Sequence, residues 1–63
     1  MEGIIKWWSK ERGYGFIEYQ EEENIFVYLE ENEKHTTNLD ENEIINFEII
    51  KTIRGNHLIL KGN

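Results

Sequence analysis

An all-β fold, a small five-stranded antiparallel barrel, is the architecture that this sequence predicts. Apolar residues fall in short segments, and no window carries the i, i+3, i+4, i+7 spacing of an amphipathic helix over helical length. These segments are rich in β-branched and aromatic residues, and turn-forming or charged residues separate them. Closing the sheet into a barrel removes the exposed strand edges of so short a chain.

Five segments are predicted to be strands. In chain order they are residues 4–8, 15–19, 25–29, 44–50 and 57–61. Residues 30–42, between the third and the fourth predicted strand, are predicted to form a long loop with at most one helical turn. Because neither a linker nor an internal repeat divides the sequence, we expect residues 1–63 to form a single domain.

The fourth predicted strand is an ordinary half-buried strand. Its apolar residues Ile45, Phe47 and Ile49 alternate with a largely polar set, so one side is expected to face the interior.

The second and third predicted strands are apolar on both sides. Their aliphatic residues alternate with an aromatic face, which consists of Tyr14, Phe16, Phe26 and Tyr28. The chain has no predicted helix to cover a second side of the sheet. We therefore expect the aliphatic side to fill the barrel and the aromatic face to meet water or a ligand.

Basic residues and glycines surround this aromatic face. Lys6, Lys10 and Arg12 are close to it in the sequence. Gly13 and Gly15 suit either a surface that another molecule approaches closely or the formation of a turn or bulge, and the second role is at least as favoured for Gly13. Unpaired bases stack on aromatic rings for about 1–3 kcal/mol per base, and cations beside the rings can contact the phosphates. The pattern therefore predicts a single-stranded nucleic acid as the partner.

The net charge of −6 does not exclude this partner, because the charge is unevenly distributed. Residues 1–17 carry three basic and two acidic side chains, a balance of +1, whereas residues 18–63 carry four basic and eleven acidic ones, a balance of −7. The acidic runs 21–23, 30–33 and 40–43 are interpreted as solvated loop surface.

Four motifs resemble the cold-shock domain family over nearly the whole chain. The most specific is KWWSKERGYGFI at residues 6–17; it is followed in the expected order by IFVY at 25–28, NFEII at 46–50 and RGN at 54–56. The resemblance implies a five-stranded barrel of the oligonucleotide-binding (OB) type that binds single-stranded RNA or DNA. Many members of this family are acidic, which agrees with the charge of this chain.

The resemblance also implies which residues contact nucleic acid. They are Lys6, Trp7, Arg12, Tyr14, Phe16, Phe26, Tyr28 and Arg54. Apart from the resemblance, Lys10 and His35 are possible rim residues, and Trp8 is either a rim or a core residue. The resemblance places Ile5 in the core and Trp7 on the binding surface, although strict alternation would put both on one side. We therefore expect a bulge or strong coiling in the first strand.

Several positions depart from the family pattern. Tyr28 replaces the usual histidine, and Leu29 stands where another aromatic is common, so we expect one stacking site fewer there. The acidic residues Glu30 and Glu31 occupy the place of the usual Ser-Ala pair, and the chain contains no proline. These changes affect one end of the predicted site.

Other kinds of chemistry find little support. Without cysteine, neither disulfides nor cysteine-based zinc sites can form. His35 and His57 have no ligand-spaced partners and are interpreted as surface residues, and Ser9 has no residue placed to activate it. We expect no enzymatic activity, no cofactor and no metal. The sequence contains neither an apolar run of membrane-spanning length nor a signal-peptide pattern, so we expect a soluble, cytoplasmic monomer with no membrane association.

Two functions remain open from the sequence. The first is single-stranded RNA or DNA binding, in the manner of an RNA chaperone, an antiterminator or a regulator of transcription or translation in the cold-shock response. The alternative is a protein–protein interaction module that keeps the OB-type barrel but has lost or weakened nucleic-acid binding, since aromatic patches also serve protein partners.

Overall fold

Five strands and one short helix make up the structure, a computed structural model that describes residues 1–62. The elements are β1 (Glu2–Ser9), β2 (Tyr14–Tyr19), β3 (Glu22–Tyr28), α1 (Glu31–Lys34), β4 (Ile44–Thr52) and β5 (Gly55–Leu60). The strands close into a barrel in the order β1-β2-β3-β5-β4. The predicted all-β barrel of five strands is confirmed. No helix within residues 1–62 has the length and apolar composition that a transmembrane helix requires.

One pair of neighbouring strands in the barrel runs parallel. The β1–β2, β2–β3, β1–β4 and β4–β5 pairs are antiparallel, whereas β3 and β5 pair in parallel, with Tyr28 opposite His57. A closed ring with an odd number of strands cannot alternate direction all the way round. The parallel pair is therefore the geometric consequence of closing five strands.

The observed strands extend beyond the predicted ones where hairpins are tight. β3 begins at Glu22 rather than at residue 25, because Gln20 adopts a positive φ of 57° and Tyr19 pairs directly with Glu22. Between β3 and β4, the predicted helical turn is present as α1.

A bulge in β1 separates the inward-facing from the outward-facing side chains. Ile5 pairs with Ile17 and Trp7 pairs with Phe16, so Lys6 is the extra residue on β1. Ile5 is fully buried, whereas Trp7 is 43% exposed. The expected bulge is confirmed.

The same bulge places Trp8 in the core rather than at the rim. Its side chain is only 8% exposed and belongs to the buried cluster. Of the two alternatives for Trp8, the core position is confirmed and the rim position is wrong, because the residue after an outward-facing Trp7 points inward.

The core is an aliphatic cluster with two aromatic side chains. Its buried members are Ile5, Trp8, Ile17, Val27, Leu29, Leu39, Ile45, Phe47 and Leu58. Tyr19 packs edge-on against Phe47, with 5.5 Å between the ring centroids. Leu29 is thus a core residue, and the aliphatic side of β2 and β3 fills the barrel as predicted.

Gly15 lies against the backbone of β1. A Cβ at this position would overlap the carbonyl oxygen of Trp7 and lie 2.6 Å from Cε3 of Trp8. The interpretation of Gly15 as room for a ligand is wrong, since the atoms that it approaches belong to the barrel itself. Gly13, with a φ of 76°, serves the turn between β1 and β2.

We predict that Gly15→Ala destabilises the barrel by about 1–3 kcal/mol, because the added methyl group has no space between β1 and β2. Urea unfolding followed by circular dichroism measures the change. Gly62→Ala is the matched control, since a Cβ there meets no atom within 4 Å of the described chain. Equal stability of the two variants would contradict the close packing at Gly15.

Candidate nucleic-acid interface

Three neighbouring strands carry a contiguous group of aromatic side chains on the outside of the barrel. Phe16 is the central residue, because it pairs with Trp7 on β1 and with Phe26 on β3. Tyr14 lies two positions away from Phe16 on the same side of β2. We call Trp7, Tyr14, Phe16 and Phe26 the four-ring platform.

The four rings form a closed circuit of contacts. The centroid of Trp7 is 6.0 Å from that of Tyr14 and 5.9 Å from that of Phe16. Phe26 completes the circuit at 5.7 Å from Tyr14 and 6.2 Å from Phe16. The rings are tilted by 40–69° to one another, so they do not stack face to face.

The platform is accessible rather than folded inward. Trp7 and Phe16 are both exposed, while Tyr14 and Phe26 are half-buried. Phe26 rests on the turn between β4 and β5, where a Cβ on Gly55 would lie 3.2 Å from its ring. Accessible rings with fixed neighbours can receive flat apolar groups such as nucleobases.

Tyr28 does not share this accessibility. Its side chain is only 7% exposed, and its hydroxyl lies 2.7 Å from Oγ1 of Thr52. The His57 ring stacks on it at 5.4 Å with an interplanar angle of 24°, and the guanidinium carbon of Arg54 lies 4.9 Å from its centroid. The expectation that Tyr28 belongs to an open aromatic face is wrong, because the parallel β3–β5 pair brings these groups over it.

Arg54 is held by an acidic residue at the start of α1. Its Nη2 donates a hydrogen bond of 2.6 Å to Oε1 of Glu30. This contact raises the pKa of Arg54 above its ordinary value, so the guanidinium remains charged. The predicted phosphate-binding cation at this end therefore has a carboxylate partner within the chain.

His57 and Glu33 form a second link between α1 and the barrel. Nε2 of His57 lies 2.9 Å from Oε1 of Glu33, and the hydrogen bond from His57 lowers the pKa of that carboxyl. His57 was interpreted from the sequence as a surface residue, which is wrong: its side chain is largely buried. His35 is exposed as expected and lies 3.3 Å from Glu31 on the same helix.

Most other cations near the platform are also paired. Lys6 lies 3.5 Å from Glu18, and Lys10 lies 3.0 Å from Asp40, which draws this predicted rim residue toward the loop before β4. Within residues 1–62, Arg12 makes no ion pair at 4 Å or less. Arg12 is thus the cation of the KWWSKERGYGFI motif that is most available to a phosphate.

Four residues take part in the contacts around Tyr28 and Arg54 but are not predicted to do so from the sequence. They are Glu30, Glu33, Thr52 and His57. The sequence predicts a solvated surface for the acidic run 30–33. In the structure, Glu30 binds Arg54 in the turn before β5, and Glu33 binds His57 on β5. No local pattern indicates these contacts, because each joins residues 24 positions apart.

Comparison with known proteins agrees with this geometry. The sequence model of the 'Cold-shock' DNA-binding domain family matches residues 1–58. Cold shock protein CspA from Staphylococcus saprophyticus, Staphylococcus epidermidis and Staphylococcus aureus is in each case 34% identical over 55 residues, covering 86% of this chain and 83% of the relative. The barrel, the order of the motifs and these similarities lead to one conclusion: this chain belongs to the cold-shock domain family.

Proposed function

We propose that this chain binds single-stranded RNA or DNA by stacking unpaired bases on the four-ring platform. The observation that carries the proposal is the contiguity of these accessible rings on three adjacent strands. Cold-shock domains are nucleic-acid-binding modules rather than enzymes, and this chain is a member of that family. Stacking tolerates any base, because every base has a π face, so the sequence preference is modest.

The electrostatics support a binding mode in which stacking outweighs phosphate contacts. Lys6, Lys10 and Arg54 are paired with carboxylates, and the whole chain carries a net charge of −6. Few counterions are then released from the nucleic acid on binding. The proposal includes Lys6 and Arg12 as phosphate contacts, with Arg12 the more available of the two.

Bases held on the platform are withheld from Watson–Crick pairing, which favours the open form of a hairpin by mass action and without ATP. We propose this as the basis of an RNA chaperone or antiterminator activity, exerted by a monomer in the cytoplasm. Regulation of transcription or translation in the cold would follow from the same step. The alternative is that the platform binds a protein partner. A titration in which the oligonucleotide does not bind would favour this alternative.

Titration with hexathymidylate or hexauridylate at low salt is expected to quench tryptophan fluorescence at micromolar concentrations, because bases stack on the exposed Trp7. Trp7→Phe retains an aromatic ring but should lose most of the quenching, since Trp8 is buried in the core. An unchanged fluorescence signal in the wild-type chain at low salt would refute the proposed function.

Phe16→Ala is expected to weaken oligonucleotide binding by roughly 5- to 150-fold, the equivalent of losing one base-stacking contact of ~1–3 kcal/mol. Fluorescence anisotropy of a labelled oligonucleotide measures the change, and circular dichroism checks the fold. Ile44→Ala is the matched control, because it removes an exposed apolar side chain from β4, which contributes no ring to the platform. Equal affinities for the two variants would mean that Phe16 does not contact bases.

A weak RNA hairpin with a fluorophore and a quencher at its ends tests the chaperone step. At a protein concentration 100 times the Kd, binding to the open strand supplies about 2.7 kcal/mol, so hairpins less stable than this should open without ATP. Phe16→Ala at the same concentration supplies at most about 1.8 kcal/mol, because its affinity is at least about fivefold lower. A hairpin with a stability of about 2.2 kcal/mol should therefore stay largely closed. Binding to single strands without opening of such hairpins would argue against chaperone activity.

A further inference from the structure

Arg54 occupies a position next to the four-ring platform that suits it to bind a phosphate. It precedes Gly55, on which the ring of Phe26 rests, and its side chain is 62% exposed. A guanidinium group is planar and can donate two parallel hydrogen bonds to phosphate oxygens. A strand whose base stacks on Phe26 would bring its backbone close to this group.

The carboxylate of Glu30 is already bound to this guanidinium. The 2.6 Å hydrogen bond from Nη2 of Arg54 to Oε1 of Glu30 uses one of the N–H donors that a bidentate phosphate contact could need. A carboxylate and a phosphate both offer negatively charged acceptor oxygens, so they can compete for this donor.

The position of Glu30 is fixed by the barrel rather than left to a mobile loop. Its backbone N–H donates to Oε1 of Glu33 at 2.9 Å, and the same oxygen lies 2.9 Å from Nε2 of His57 on β5. His57 in turn stacks on Tyr28 of β3. This chain of contacts holds Glu30 opposite Arg54 at a high effective concentration, as in any intramolecular interaction.

The same arrangement closes the surface beyond Phe26 to bases. While Glu30 holds Arg54, the guanidinium carbon stays 4.9 Å from the centre of the Tyr28 ring, which is 7% exposed. Loss of the Glu30 contact would free the cation, whereas the His57 ring would remain stacked on Tyr28.

We propose that Glu30 competes with nucleic-acid phosphate for Arg54 and thereby limits the contribution of this cation to binding. This inference rests on the proposed function, because it assigns a determinant of affinity to the same surface. Arg54 then contributes to binding only to the extent that a phosphate displaces Glu30, so Glu30 keeps affinity and salt dependence low.

The test is Glu30→Gln, which keeps the size of the side chain and removes its charge. Affinity for hexathymidylate, measured by fluorescence anisotropy at low salt, is expected to rise about twofold to fivefold, the range of an exposed ion pair. The plot of log affinity against log salt should become steeper by about 0.7, the value for one additional phosphate contact on a single strand.

Glu48→Gln is the matched control. Glu48 lies on β4, 3.7 Å from Lys61, so its substitution also removes one negative charge and one exposed ion pair. Because neither residue borders the four-ring platform, both the affinity and the salt slope should stay near the wild-type values. An equal gain in Glu30→Gln and Glu48→Gln would overturn the inference, since net charge alone would then explain it.

The double variant Glu30→Gln/Arg54→Ala has the same net charge as the wild-type chain. If the gain in affinity of Glu30→Gln depends on Arg54, the affinity and the salt slope of the double variant should return to wild-type values. A gain in affinity that persists in the double variant would overturn the inference. Wild-type binding with no gain in Glu30→Gln would overturn the inference alone and leave the proposed function intact. Absence of binding by the wild-type chain and Glu30→Gln alike would overturn both.

Discussion

The bulge in β1 is the feature on which both the core and the platform depend. Successive side chains of a regular strand point to opposite sides, so a strand that buries Ile5 would also bury Trp7. The extra residue, Lys6, breaks this alternation and turns Trp7 outward, toward Tyr14 and Phe16. It also turns Trp8 into the barrel, where its ring joins the buried cluster.

Barrel closure decides the electrostatics of the surface. The parallel pair between β3 and β5 sets Tyr28 against His57, and α1 then places Glu30 and Glu33 over this junction. Arg54 and His57 are thus engaged by carboxylates at one end of the surface, while the rings of the four-ring platform remain accessible.

Much of the fold and half of the candidate site could be inferred from residue patterns. The strand positions, the aliphatic core side of β2 and β3, and the outward placement of Phe16 follow from alternation over a few residues. The rim alternative for Trp8, the ligand-clearance alternative for Gly15, the open position of Tyr28 and the surface position of His57 all failed. Each failed because the deciding atoms lie on another part of the strand pair or on a different strand.

The sequence by itself determined the all-β class, the positions of the strands along the chain and the identity of the outward rings, because side-chain alternation is a local property of the backbone. Only the tertiary structure decided which of these rings and cations are available. Side-chain hydrogen bonds join Tyr28 to Thr52, Arg54 to Glu30 and His57 to Glu33, and each joins residues 24 positions apart in the chain. These contacts depend on how β3, β5 and α1 pack against one another in the closed barrel. The residue pattern within a single segment does not indicate that packing.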